Sequence, residues 1–200
     1  MMDYELIKIP WTAGSLYSDM SKDEAMAFFE WIEVNAEYRV SQLQSYINQS
    51  RACFHLDHSP RSLLSLGEWL ANTLKLQCRS PKDMKDLVNS VPEWIKDSMR
   101  DRNVELTPES MSLALDVGIY FSRALMKSDD KIKWKMHVNA SELDADHNQL
   151  VLTGPTGMQY NPVRAMQQIC LKIAKREVKT TRLFELFESW RGNLLRGGSR

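Results

Sequence analysis

Cys53, His55, Asp57 and His58 place four side chains able to ligate a metal within six residues. A tetrahedral zinc site usually draws its ligands from two separated pairs, such as Cys-x2-Cys and a second pair further on. Only one cluster is present: the nearest other cysteine is Cys78, and His137 and His147 would have to be delivered by the fold. The spacing reads as a turn carrying solvated imidazoles. No metal or other cofactor is expected, and Cys53, His55 and His58 are the residues that would hold a metal. Asp116 is the second position with chemical potential. It is the one charge in the run Met111–Ser122, with Tyr120 and Arg123 four and seven positions further on, on the same side of a helix. A carboxylate buried there would have a raised pKa and suit a general base. The structural alternative is a hydrogen bond to Tyr120 or an ion pair with Arg123.

Other motifs are incomplete. Gly154-Pro155-Thr156-Gly157 opens like a phosphate loop, but Met158-Gln159-Tyr160 stands where Gly-Lys-Ser/Thr would grip phosphate and magnesium, so it reads as a turn. No Gly-x-Ser-x-Gly elbow, His-Glu-x-x-His pair or Gly-x-Gly-x-x-Gly loop occurs. Lys131, Lys133, Lys135 and His137 make a small basic strand face without exposed aromatics beside it, which is thin for tracking a nucleic-acid backbone. No catalytic residue is therefore expected.

The elements that would position these residues are legible from periodicity and caps. Ser21-Lys22-Asp23-Glu24 is a capping box. It opens a helix of nearly thirty residues whose apolar stripe is Phe29, Ile32, Ala36, Val40, Leu43 and Ile47. Glu30, Glu33 and Glu37 lie on another face of it. Ser59-Pro60 and Ser80-Pro81 start further helices, the second of them short, and Glu93–Arg100 adds a turn or two. Thr107-Pro108-Glu109 opens a helix reaching about Lys127. Apolar residues nearly encircle it, which predicts a central buried helix in which Gly118 allows another element to approach. Ile132, Trp134, Met136 and Val138 then alternate with polar residues as a strand, and Gln149–Thr153 forms a second, antiparallel to it. Two final helices start at Asn161-Pro162 and at Thr180 or Thr181. Met1–Asp19 reads as an extended arm or short strand.

The fold class expected is α+β and predominantly α-helical: about six helices around a central one, with a small antiparallel β-hairpin in the C-terminal half. Residues 1–196 form one domain, helical over about 1–106 and α+β over about 107–196, and 197–200 form a flexible tail. Lys and Arg balance Asp and Glu at 26 each, so no global field draws in nucleic acid or anionic membrane. Locally, residues 151–200 carry nine basic against three acidic residues, a net +6, and residues 1–150 carry the compensating −6. Three dispersed cysteines fit reduced thiols in a cytoplasmic protein. The N-terminus has no signal-peptide pattern. The longest apolar stretch, Leu113–Leu125, is interrupted by Asp116, Ser122 and Arg123 and is too short for a bilayer. Eleven methionines and six tryptophans suit an adaptable core with some on a partner surface.

Five segments carry a family likeness: Ser112–Phe121, Lys131–Trp134, Asn148–Gly154, Asn161-Pro162 before a helix, and Thr181–Trp190. Together they resemble small uncharacterised bacterial immunity-type proteins encoded beside polymorphic toxins, over residues 111–190. The resemblance implies a non-enzymatic, cytoplasmic protein whose partner is a cognate toxin, occluded at its active site. The toxin-facing surface expected is Glu30, Glu33 and Glu37, with Asp144 and Asp146 as a second acidic patch. The alternatives are an enzyme with a dispersed site, such as a metal-dependent hydrolase, and a subunit of a phage-defence or phage-encoded complex.

Overall fold

A computed structural model describes residues 4–7, 21–89, 91–100, 102–137, 146 and 148–196. The expected 197–200 tail, Val138, Asp144, His147 and most of the Met1–Asp19 arm lie outside them. The helices are α1 (Lys22–Gln49), α2 (Pro60–Thr73), α3 (Pro81–Asn89), α4 (Lys96–Arg100), α5 (Pro108–Ser128), α6 (Pro162–Ala174) and α7 (Arg182–Arg196), with a 3-10 turn at Glu93–Ile95 before α4. The strands are β1 (Leu76–Cys78), β2 (Val104–Leu106), β3 (Lys133–His137), β4 (Gln149–Thr153) and β5 (Gln159–Tyr160). The fold is α+β and mostly helical. No helix among the described residues is long and apolar enough to cross a membrane.

The helices start where hydroxyl and amide side chains satisfy the free N–H groups of a first turn. Ser21 accepts from the Glu24 amide while Glu24 accepts from the Ser21 amide, a complete capping box. Ser59, Thr107 and Asn161 each accept an amide from three residues on, and each precedes a proline at the first helical position. The α1 stripe faces the core through Ala25, Phe28, Ile32, Ala36, Val40, Leu43 and Ile47. Phe28 replaces the expected Phe29, which is only half-buried, because a period of 3.6 rather than 3.5 carries the stripe one residue round at that end.

Fourteen residues of α5 are buried, so it is the central helix. Gly118 lies where α6 crosses it: a Cβ there would sit 3.1 Å from the Val163 Cα. The C-terminal helix α7 packs through an aromatic cluster. Phe121 meets Phe187 and Trp190 edge-on at 6.3 and 5.4 Å, and Tyr160 stacks on Trp190 at 4.5 Å, geometries that add to simple burial.

Two sheets form, where sequence reading expects one hairpin. The C-terminal sheet has the order β3-β4-β5, antiparallel throughout, with Lys133 opposite Thr153 and His137 opposite Gln149. Ile132 is buried and Trp134 and Met136 are half-buried, on the apolar face expected. β4 is central and buried along its first four residues. The third strand, β5, and the separate β1–β2 ribbon escape sequence reading because each strand is only two or three residues long. β1 in addition is exposed at all three positions, so no alternation marks it. Gly154–Gly157 is a β-turn closed by the Gly157 N–H on the Gly154 carbonyl at 3.0 Å. Thr156 Oγ1 donates to the Asn193 and Leu194 carbonyls at the end of α7.

Burial has an alkaline consequence. Cys170 is wholly buried on α6, and burial pushes its thiol from 9.0 up to about 12. Burial likewise raises the phenols of Tyr4 and Tyr120. In the unfolded chain a thiol ionises near pH ~8.5 and a phenol near ~10. Above those values the unfolded state sheds protons that the folded state retains, so stability is full below pH ~8.5 and falls as pH rises. The melting temperature is expected to drop progressively between about pH 8.5 and 11. Cys170→Ala should flatten the first part of that drop. A melting temperature independent of pH over this range would contradict the burial of these groups.

Candidate functional site

The arm at residues 4–7, α1 and α5 meet over one buried ionic cluster. Asp116 on α5 is 0% exposed and Arg39 on α1 is 2% exposed. Arg39 Nε donates to Asp116 Oδ1 at 2.8 Å and Nη2 to Oδ2 at 2.6 Å, a bidentate fork. The Tyr4 hydroxyl donates to Oδ2 as well. Arg39 Nη2 also donates to the Glu5 carbonyl at 3.1 Å, and the Ile7 amide donates to Ser112 Oγ at 3.2 Å. Burial pushes the Asp116 carboxyl up, against the pull of Arg39 and Tyr4. Burial also disfavours the Arg39 charge, but the bond and charge of Asp116 more than offset this, and Arg39 stays ionised.

The partners expected of Asp116 are thus corrected. Tyr120 instead accepts the His58 amide at 2.9 Å and hydrogen-bonds Ser62 Oγ. Arg123 pairs with Glu37 at 3.0 Å. Both residues extend from α5 towards elements nearer to them than Asp116, whereas Asp116 points at the α1 crossing. Its two oxygens are filled and sealed from water, so it joins helix to helix and offers no general base.

Above the cluster the arm and α1 leave a groove of about 450 Å³. Leu6 and Ile7 form one wall and Trp31, Asn35 and Tyr38 the other. The Tyr38 hydroxyl donates to Glu5 Oε2 at 2.7 Å across the rim. Beside the groove, Ala27, Trp31, Val34 and Tyr38 follow steps of 4, 3 and 4 along α1, a second apolar stripe on the side opposite the core. Val34 is 81% exposed, Tyr38 49% and Leu6 44%. At ~100° per residue, Glu30 and Glu37 border this stripe and Glu33 lies beyond them. Glu30 and Glu33 are exposed, and Glu37 is exposed while tied to Arg123. From Asp23 to Gln49 the one basic residue of α1 is Arg39, which is buried. The outer face of α1 is therefore apolar and acidic together.

The other candidates are dispersed. Asp146 accepts from Arg164 at 3.3 Å and from Asn161 at 3.1 Å at the start of α6, so it serves the fold. Asp144 lies outside the described residues. Cys53 and His55 are exposed, and His58 is half-buried against the Tyr120 ring at 5.2 Å. Burial, then the neighbouring Lys127, lower the His58 pKa. No group of three or more His, Cys, Asp or Glu among the described residues is placed to hold a metal. The stripe Trp31, Val34 and Tyr38 is absent from the sequence reading. The signal for it was present: these residues repeat at helical spacing outside the stripe that faces the core. No protein-family model, curated protein or solved structure matches the chain.

Proposed function

We propose that the chain is a non-catalytic binding protein whose α1 face docks on a basic partner protein, and that this partner is a cognate toxin in the cytoplasm of the producing cell. The observation carrying the reading is the stripe of half-buried Trp31 with exposed Val34 and Tyr38 beside an arm-lined groove, bordered by the carboxylates of Glu30 and Glu37. Aromatic anchors next to a pocket supply most of the energy in protein interfaces, and one-sign charge around them accelerates encounter and selects partners. A toxin that acts on an anionic substrate carries a basic site, which such a face would cover. The occupied, sealed state of Asp116 removes the most obvious catalytic group.

Co-expression with the product of the adjacent gene tests this. The wild-type chain should restore growth and bind the toxin, whereas Val34→Glu and Tyr38→Ala should each weaken binding about 10-fold or more. Glu30→Lys with Glu33→Lys should slow association more than added salt does. Affinity unchanged by all of these substitutions would remove this face from the reading.

A further inference from the structure

Between β1 and β2 the chain makes an excursion, residues 79–103, containing α3, the 3-10 turn and α4. Its base is secured by the Arg79 N–H on the Asn103 carbonyl at 2.8 Å and by the Arg79–Glu105 ion pair at 2.7 Å. None of the side chains described there is buried, those of Ser98 and Arg100 lying outside the description. Met84, Leu87 and Val88 form a stripe on α3 that is only half-buried, although α3 packs on α4. Ile95 and Met99 on the returning limb are half-buried too, and Trp94 at the tip is 84% exposed. Helices of nine and five residues fall below the ~12–15 residues that hold helix in water without packing. The excursion thus carries two apolar stripes that its own body covers only in part.

The charges on it indicate what completes the cover. α3 carries both signs, and they are ordered: at ~100° per residue Asp83 flanks the Met84 stripe on one side and Lys85 on the other. A surface that meets its own copy across a two-fold axis must be self-complementary. Two α3 helices set side by side about an axis running along them bring each Asp83 against the other's Lys85, with the Met84, Leu87 and Val88 stripes between. We propose that this excursion is a self-association surface, and that its occupant is the same excursion of a second copy of this chain. The inference does not depend on the α1 reading.

Sedimentation equilibrium of the full chain from about 1 to about 100 µM tests it, a range suited to interfaces of micromolar Kd. The wild-type chain should pass from monomer to dimer. Trp94→Ser, a change at a solvent-exposed side chain that the fold tolerates, should weaken the dimer about 10-fold. Lys85→Asp and Asp83→Lys should each weaken it, and the two together should recover most of the loss, because each reversed charge again meets its opposite. A wild-type chain that stays monomeric throughout would overturn the proposal. So would a dimer that ignores all these substitutions, or reversals whose losses simply add.

Discussion

Asp116→Ala is expected to destabilise the protein by about 3–5 kcal/mol, the range seen when one partner of a buried ion pair is removed. The substitution strips two of Arg39's three hydrogen bonds, leaving the one to the Glu5 carbonyl, removes the acceptor of Tyr4, and leaves a guanidinium 2% exposed without a counter-charge. A fold of ordinary stability holds only about 5–15 kcal/mol in total, so a large share would be lost. Urea denaturation should show a lower midpoint with an unchanged slope. Replacing the pair together, Arg39→Met with Asp116→Leu, should cost less than Asp116→Ala alone, since no charge is then stranded. If the single change costs under about 1 kcal/mol, the cluster is not holding α1 on α5.

Gly67→Ala is the second large effect. A Cβ on Gly67 of α2 would stand 2.0 Å from the Thr180 carbonyl oxygen just before α7. The obstacle is backbone on both sides, so no side chain can swing away, and α2 and the start of α7 must separate. Overpacking of this kind costs about 1–3 kcal/mol or more, equivalent to a melting point lower by about 2–4 °C per kcal/mol at this size. Gly192→Ala on α7 is the matched control: a Cβ there meets nothing within 4 Å. It should be neutral or stabilising, by up to about 1 kcal/mol from helix propensity. Equal effects at the two positions would contradict the α2–α7 contact.

The contrast between these residues explains what the sequence discloses. Helix starts were readable because Ser21, Ser59, Thr107 and Asn161 act on amides three residues away, and local chemistry leaves local spacing. The burial of α5 was readable because its apolar residues encircle the axis. Asp116 was recognised as unusual, yet its partners were misassigned. Sequence proximity favours Tyr120 and Arg123, while Arg39 and Tyr4 lie 77 and 112 residues away, a separation that no periodicity encodes. Glu30, Glu33 and Glu37 were found as a face, but half-buried Trp31 and the exposed Val34 and Tyr38 beside them were passed over, because the periodicity of α1 was read only for its core stripe. β1 and β5 were lost because two or three residues cannot display a period.

The ion pair joining α1 to α5 also bears on the order in which the chain becomes structured during synthesis. Arg39 leaves the ribosome long before Asp116, which lies 77 residues further along the chain, so its guanidinium meets a counter-ion only after that length has been made. Contacts of such long range close late, and domains commit as units once their distant parts are present. α1 and α2 therefore emerge before α5, against which they pack, and a ribosome stalled before that helix would display a nascent chain whose inward-facing side of α1 is open to chaperones.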